Sequence, residues 1–281
     1  MLSYRHAFHA GNHADVLKHF VLTQILRHMT SKDKPFWYVD THAGAGLYAL
    51  DSSQAQKTAE FHTGIAKLFG RSDLPEALAD YVDLVRSCNP EKNLRIYPGS
   101  PEIALKLLRH EDRLKLFELH PSESKILAQN MHPAGRRASL VAGDGFAGLK
   151  AVLPPPPRRA MVLIDPPYEV KEDYRHVIAS LKDSLVRFAT GTYAVWYPQV
   201  QRPESRRFAD QLRRVVPTNW LHVSLTVCEA IPGAVGLQGS GMYIINPPWN
   251  LPKTLEVVMP LLTKTLGQHA AASFELDYHI S

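Results

Sequence analysis

The chain has 281 residues, of which 45% are hydrophobic and 21% charged, and this fits one globular α/β domain with an insertion, or two small domains. A chain of this length can bury a core without disulfides or structural metals to stabilise it. Its only cysteines, Cys88 and Cys228, form no CxxC pair, so neither a disulfide framework nor a structural zinc site is expected. Its net charge of +5 favours polyanionic partners through counterion release, although many enzymes with small substrates are equally basic.

Signals for export and membrane insertion are not found in the sequence. The first twenty residues lack the long apolar stretch of a signal peptide. No run approaches the 18 or more apolar residues that a membrane span needs. We therefore expect a cytoplasmic protein in a reducing compartment, and we expect it to be a monomer.

The predicted elements alternate between helices and buried strands. A first helix is predicted to begin near Asn12 or Asp15, either of which could cap it. Seven apolar runs predict strands at residues 36–40, 114–118, 139–142, 160–165, 192–197, 222–229 and 241–246. Helix-length segments separate most of them, which is typical of a doubly wound α/β sheet.

The interval from residue 51 to residue 93 departs from this alternation. It shows no clear strand, and its apolar residues, such as Leu78, Tyr81 and Val82, recur at helical spacing. We therefore predict a helical subdomain over residues 51–93, inserted into a main domain formed by 1–50 and 94–281. The main fold should resume near Tyr97, with Ser100 as the cap of the next helix.

The last two predicted strands should pair antiparallel. The link between them, residues 230–240, contains Pro232, Gly233, Gly236 and Gly239, and it is too short and too broken for a crossover helix. A mostly parallel, seven-stranded sheet with an antiparallel last strand is the layout of Rossmann-like class I S-adenosylmethionine-dependent methyltransferases. The sequence thus predicts this α/β fold class.

The tetrapeptide Asp165-Pro166-Pro167-Tyr168 directly follows a buried strand, so Asp165 should reach the sheet edge where open α/β folds bind ligands. An adenine amino nitrogen is a poor nucleophile because its lone pair is delocalised into the ring. Asp165 and the Pro166 carbonyl could accept both amino hydrogens, and Tyr168 could stack on an extruded base. The alternative is a proline-rich strand exit that carries an acid by chance.

Three further strand ends carry residues that suit an adenosyl cofactor. Glycines at Gly44 and Gly46 would allow close approach to the backbone, Glu118 could bind ribose hydroxyls, and Asp144 could contact an adenine amino group. Each feature alone could be an ordinary turn or a solvated strand end. Their order along successive strands favours the methyltransferase interpretation, and the missing third glycine argues against an NAD enzyme.

A second tetrapeptide, Asn246-Pro247-Pro248-Trp249, also follows an apolar strand. Because that strand is predicted to be antiparallel, its end should lie at the opposite edge from the cofactor. We therefore prefer Asp165 for catalysis.

Histidines and arginines near these motifs allow further interpretations. His6, His9, His13 and His19 form no recognisable metal motif, and methyl transfer from a sulfonium needs no metal, so no metal is expected. One basic segment contains Arg202, Arg206, Arg207, Arg213 and Arg214, and further cations lie elsewhere in the chain at Lys32, Lys34, Arg136, Arg137, Arg158 and Arg159. These cations could contact phosphate, or they could simply lie on solvated surfaces.

The sequence resembles a known family over essentially the whole chain. The residues that carry the resemblance are MLSYRH and FHAGNHADVLKH near the N-terminus, then DTHAGAG, YPGSP, ELHPS, GDGF, LIDPPYE, FATGTYAVWYP and INPPW. With these motifs the chain is similar to the RlmJ family of bacterial 23S ribosomal RNA adenine-N6 methyltransferases.

The resemblance implies S-adenosylmethionine as the cofactor and 23S rRNA as the partner. It implies a cofactor pocket lined by His19, His42, Ser100, Glu118, Asp144 and Gly145, with Lys18 close by. Asp165 would both line this pocket and act as the catalytic acceptor, and Tyr4 would face the RNA. The rival functions are a DNA adenine-N6 methyltransferase, a non-catalytic RNA-binding assembly factor on the same scaffold, and a small-molecule amine methyltransferase.

Overall fold

The computed structural model describes residues 4–229 and 236–280. Within these ranges, helices α1 to α11 span His13–Thr30, Ser53–Thr58, Ala66–Phe69, Glu76–Ser87, Ser100–Leu107, Pro121–Asn130, Gly145–Val152, Lys171–Arg187, Pro203–Arg206, Phe208–Val215 and Leu251–Leu266. Strands β1 to β10 span Trp37–Asp40, Leu47–Ala49, Ile96–Pro98, Arg113–Glu118, Ala138–Ala142, Ala160–Ile164, Thr192–Gln199, Trp220–Thr226, Gly239–Ile245 and Ser273–His279. None of the helices in these ranges is long and apolar enough to cross a membrane.

The central sheet has the strand order β10-β8-β9-β7-β6-β1-β4-β5. Parallel pairing joins β5, β4, β1, β6 and β7, whereas β9 is antiparallel to both β7 and β8. The mostly parallel α/β sheet with a reversed strand near the C-terminus is therefore confirmed, as are all seven predicted strands. Part of the predicted link, residues 230–235, lies outside the described residues.

The sheet has eight strands in the described part of the chain, one more than the seven expected from the sequence. The additional strand, β10, pairs antiparallel with β8 at the edge of the sheet. Its residues are mostly exposed or half-buried, so it lacks the continuous apolar run by which the other strands were recognised. A separate antiparallel pair, β2 with β3, was missed because each strand is only three residues long.

The segment between β2 and β3 is helical, with α2, α3 and α4 joined by short turns. Its apolar side chains, including Phe61, Ile65, Leu68 and Tyr81, are buried in the same core cluster as Leu17 and Phe20 of α1. The helices thus share the main core. The division into a separate subdomain at residues 51–93 stays a prediction.

Helix α1 begins after Asn12, whose side-chain oxygen accepts hydrogen bonds from the backbone N–H groups of Ala14 and Asp15. Asn12 is therefore the cap, while Asp15 turns inward and is 2% exposed. Most of α1 is buried because it packs against α5 and β9. This packing brings polar residues of α1 to the carboxyl ends of the parallel strands.

Candidate active site

A cavity of about 980 Å³ opens at the carboxyl edge of the parallel strands. Ten of the eleven predicted site residues line it: Tyr4, Lys18, His19, His42, Ser100, Glu118, Asp144, Asp165, Pro166 and Tyr168. The eleventh, Gly145, is buried directly behind Asp144 at the start of α7. The structure therefore brings together residues from the N-terminus, α1 and four strand ends.

Asp165 is paired with a buried lysine. The Lys18 ammonium donates to Asp165 Oδ2 at 2.6 Å and lies 3.0 Å from Asp15 Oδ1. Burial opposes the charged ammonium, but the two carboxylates outweigh it and raise the pKa of Lys18. Lys18 thus stays protonated and holds Oδ2 of Asp165, a residue that also lines the cavity.

Further polar contacts connect Asp15 to residues of the N-terminal segment. His6 Nε2 lies 2.8 Å from Asp15 Oδ2, and the Tyr4 hydroxyl is 2.9 Å from His6 Nδ1. Burial would raise the pKa of Asp15, but His6 and Lys18 hold it well below its usual range. A continuous chain of polar contacts therefore links Tyr4 at the surface to Asp165 at the floor. Tyr4 also stacks on His9, with ring centroids 5.8 Å apart.

His19 and His42 are neutral donors or acceptors in the cavity wall. His19 Nδ1 lies 2.7 Å from the Tyr97 hydroxyl, and His42 Nδ1 lies 2.8 Å from the Thr41 hydroxyl. Burial lowers the pKa of His19 to about 3 and that of His42 to about 4. Both imidazoles therefore carry no charge near neutral pH.

We expect an NMR titration of the imidazole C2 protons to show His19 and His42 neutral at pH 6. Because their folded pKa values lie below the unfolded 6.5, the unfolded state binds more protons between pH 6.5 and about 4. For each histidine, the free energy of unfolding therefore falls by up to about 1.4 kcal/mol for each unit by which the pH is lowered within this range. His9 is an internal control, since its hydrogen bond to Glu60 raises its pKa. A midpoint near 6.5 for His19 would contradict the assignment.

Glu118 lies at the end of β4 and organises the glycine turn after β1. Its Oε2 accepts from the N–H of Gly44 at 2.8 Å, and its Oε1 accepts from the N–H of His120 at 2.7 Å. Gly44 has φ of +60°, a conformation that glycine adopts without strain. Burial raises the pKa of Glu118. The carboxylate is thus held at the cavity wall with lone pairs remaining for a hydroxyl-bearing ligand.

Ser100 does not cap α5, contrary to the expectation from the sequence. The helix is capped by Gly99, and Ser100 is its first residue. The Ser100 hydroxyl instead donates to Asp40 Oδ2 at 2.6 Å, and the Tyr38 hydroxyl donates to the same oxygen at 2.7 Å. Burial raises the pKa of Asp40, which is 0% exposed. Ser100 therefore lines the cavity, and the buried Asp40 carboxylate at the end of β1 holds its hydroxyl in place.

Asp144 caps α7, with its Oδ1 accepting from the N–H of Phe146 at 2.8 Å. Behind it, a side chain on Gly145 would clash: a Cβ there would lie 2.0 Å from the Thr41 carbonyl oxygen. Gly145 is thus needed for the close approach of α7 to the turn after β1. The segments that follow β1 and β5 are therefore in close contact at this point.

Gly145→Ala is expected to destabilise the fold by about 1–3 kcal/mol and to weaken cofactor binding, because the added methyl group pushes α7 from the Thr41 turn. Urea unfolding and calorimetric titration with S-adenosylhomocysteine would measure both effects. Gly143→Ala is the matched control, since its Cβ would meet only Val141 Cγ1 at an ordinary 3.6 Å. Equal behaviour of the two variants would refute the close-approach argument.

Tyr168 differs from the open stacking surface expected from the sequence. It has φ of +52°, is 3% exposed, and donates its hydroxyl to the Trp196 carbonyl at 2.6 Å. Its ring packs against Tyr174 and Phe208. It can therefore contribute only a small area to the cavity wall in this conformation, and its stacking role stays a prediction. Arg202 donates to the carbonyls of Tyr168 and Glu169, both at 3.1 Å, and so holds the end of this loop.

The second Pro-Pro tetrapeptide lies at the other edge of the sheet. Strand β9 is antiparallel to β7, so Asn246 follows it at the edge opposite the cavity. The Asn246 amide donates to the carbonyls of Ala189 and Gly191 at 2.8 and 2.7 Å. Trp249 is 76% exposed. Asn246 thus stabilises the turn before β7.

The predicted site residues did not include Asp15 and Trp196, which line the cavity, or Asp40, which is buried behind Ser100. The sequence pattern predicts Asp15 as a possible helix cap and Asp40 as the end of a strand. Trp196 lines the cavity with its ring centroid 5.5 Å from the Lys18 ammonium, and its buried indole Nε1 has no hydrogen-bond partner among the described residues. A buried strand that ends in an acid, as β1 does, is the one sequence signal that could have identified Asp40.

The histidines of the N-terminal region bind separate partners. His6 contacts Asp15, His9 contacts Glu60, and His19 contacts Tyr97. Across residues 4–229 and 236–280, no group of three or more His, Cys, Asp or Glu side chains could hold a metal ion.

Comparisons with known proteins agree on one family. Residues 33–280 match the family described as "Ribosomal RNA large subunit methyltransferase D, RlmJ". The chain is 45% identical over 279 residues to "Ribosomal RNA large subunit methyltransferase J" of Haemophilus influenzae, covering 99% of each chain. It is 47% identical over 266 residues to the Escherichia coli protein of the same name, covering 95% of this chain and 94% of that one.

A solved structure shares the whole fold. The crystal structure of protein LPL1258 from Legionella pneumophila superposes with a TM-score of 0.90 at 35% identity, covering 97% of this chain and 100% of that one.

The sheet order, the reversed strand and the cavity at the strand ends define a class I methyltransferase. Within that class, the chain belongs to the RlmJ family of ribosomal RNA large subunit methyltransferases.

Proposed function

We propose that this protein transfers a methyl group from S-adenosylmethionine to the exocyclic N6 of an adenine in 23S rRNA. The observation that carries the proposal is the Asp165–Lys18 pair: Lys18 binds one carboxylate oxygen of Asp165, and both Asp165 and Pro166 line the cavity. The names of the relatives support ribosomal RNA as the substrate, and the family resemblance supports the 23S adenine. The proposal includes a monomer that acts in the cytoplasm.

The cavity fits an adenosyl cofactor. Glu118 would bind the ribose hydroxyls and Asp144 would accept from the adenine amino group, while Gly44 lines the cavity without a side chain. His19, His42 and Ser100 would line the remainder. When bound there, the cofactor supplies an electrophilic methyl group on a positively charged sulfur.

The chain's own residues would prepare the attacking nitrogen. Because Lys18 occupies Oδ2, Asp165 Oδ1 and the Pro166 carbonyl can accept the two hydrogens of the substrate amino group. This holds the amino group in one orientation and concentrates electron density on nitrogen. As the N–C bond formed, the methyl–sulfur bond would break to leave a neutral thioether, and the surplus proton on nitrogen would pass to Asp165 or to water. Proline at position 166 has no N–H that could compete for these acceptors.

One labelling experiment tests the substrate assignment. The protein is incubated with radiolabelled S-adenosylmethionine and separate pools of unmodified rRNA, tRNA and DNA, and the labelled product is digested to nucleosides. We expect label in 23S rRNA as N6-methyladenosine. Label in DNA alone would replace the substrate by DNA, and cofactor binding without transfer to any pool would indicate an RNA-binding assembly factor.

A further inference from the structure

The amino ends of four neighbouring parallel strands carry a row of positive side chains. Strands β6, β1, β4 and β5 lie side by side in that order and run in the same direction, so they all begin at the sheet edge opposite the cavity. Each is preceded or begun by a pair of cations: Arg158 and Arg159, Lys32 and Lys34, Arg109 and Arg113, and Arg136 and Arg137. We call these eight residues the basic edge.

The basic edge has a surplus of positive charge. Its loops, residues 31–36, 109–113, 136–137 and 158–159, hold eight Lys or Arg residues against three Asp or Glu residues. The resulting surplus of five equals the formal net charge of the whole chain, +5. Two of the three acids bind Arg109: Asp112, which is 0% exposed, at 3.0 Å, and the half-buried Glu111 at 3.1 Å.

The positive groups repel one another. Burial and then the Arg109 guanidinium lower the pKa of Arg159, and burial and then Arg113 lower that of Lys115 on β4. Burial, Lys32 and Arg159 together lower the pKa of His28. The row is therefore a place where positive charges lie close together, with Asp112 partly offsetting their effect on Arg159.

Hydrogen bonds hold the row in place despite this repulsion. Arg109 donates to the carbonyls of Lys32 and Lys34 at 2.7 and 3.1 Å, and Arg159 donates to that of Met29 at 2.9 Å and to that of Lys34. The loops that precede β1, β4 and β6 are thereby tied together. Lys32, Lys34, Arg136 and Arg158 stay exposed on this surface.

We propose that the basic edge binds backbone phosphates of the RNA substrate, at a segment remote from the modified adenine. This inference rests on the proposed function. Strands lie about 4.8 Å apart, so the four strand ends present cations over roughly 15 Å, which suits a polyanion with regularly spaced charges. The five residues of β6 separate this edge from the cavity by about 15 Å or more. A short single strand that enters the cavity would not reach the basic edge, whereas a folded RNA could.

The test compares two variants that each lose four positive charges. K32Q/K34Q/R136Q/R158Q neutralises exposed members of the basic edge, and K67Q/K92Q/K253Q/K264Q neutralises four exposed lysines elsewhere. Both are measured with 23S rRNA and with a short oligonucleotide around the methylated adenine, over a range of salt concentrations. Thermal unfolding and S-adenosylhomocysteine binding verify that both variants are folded.

We expect the basic-edge variant to bind 23S rRNA at least about tenfold more weakly than wild type at 0.15 M salt, with a salt slope smaller by about 2–3. Its affinity for the oligonucleotide should match that of the control variant. Equal rRNA affinity of the two variants, or an equal loss on the oligonucleotide, would overturn the inference. Absence of rRNA methylation by the wild-type protein would contradict the proposed function. The phosphate-binding inference would still be tested by comparing the rRNA affinities of the two variants.

Discussion

Asp165→Ala is expected to lower kcat for methyl transfer by at least about 10²–10³-fold while leaving the affinity for S-adenosylhomocysteine within a few-fold of wild type. The variant removes the acceptor that polarises the substrate amino group, and acceptors of this kind are worth several kcal/mol in a transition state. The fold should tolerate the change because Lys18 keeps Asp15 as a partner at 3.0 Å. Label incorporation and calorimetry measure the two quantities.

Asn246→Gly is the matched control for Asp165→Ala. Asn246 begins the other Pro-Pro tetrapeptide, and its φ of +52° suits glycine. The variant loses the hydrogen bonds to Ala189 and Gly191, so it should unfold more easily but turn over at nearly the wild-type rate where it is folded. Near-normal turnover by Asp165→Ala, or its loss in Asn246→Gly alone, would remove Asp165 from the mechanism.

The parts of the fold that could be predicted from the sequence are those where burial leaves a pattern. Strands such as β6, buried at every residue, are continuous apolar runs. Strand β10 is an exposed edge strand, and β2 and β3 have three residues each, so they leave no such pattern. Their pairing depends on distant partners that local sequence does not specify.

The site was predictable to the extent that parallel strands end at one edge. Glu118 ends its strand, Asp144 and Asp165 follow theirs, and all three line one cavity. The contact of Lys18 with Asp165 spans 147 residues and depends on how α1 crosses the sheet, so no motif could show it. The burial of the Tyr168 ring could not be predicted either, because it depends on a positive φ and on one hydrogen bond to a distant carbonyl.

The same rule of strand direction explains the basic edge. Lys32, Arg136 and Arg158 are scattered in sequence and look like unrelated surface charges. The parallel register of β1, β4, β5 and β6 places the segments before them side by side. Sequence order thus locates residues at a strand end, and strand order in the sheet decides which ends are neighbours.

Lys18→Met is expected to lower both stability and turnover. It leaves two carboxylates without their shared cation, and Asp15 is 2% exposed. Breaking a buried ion pair by removing one partner costs about 3–5 kcal/mol, because the remaining charge stays desolvated. Turnover should fall as well, because Asp165 loses the donor that fixes its Oδ2. Urea unfolding and methyl transfer measure the two effects.

A second variant separates the two roles of Lys18. Asp15→Asn in the Lys18→Met background removes the deeply buried charge, so the double variant should regain most of the lost stability. Asp165 would still lack its orienting donor, and therefore turnover should stay low although the protein is folded. A double-mutant cycle over both substitutions gives the coupling between Asp15 and Lys18 directly. If the double variant regained wild-type turnover together with stability, Lys18 would act only through the fold, and the orientation of Asp165 would have to come from the Pro-Pro loop alone.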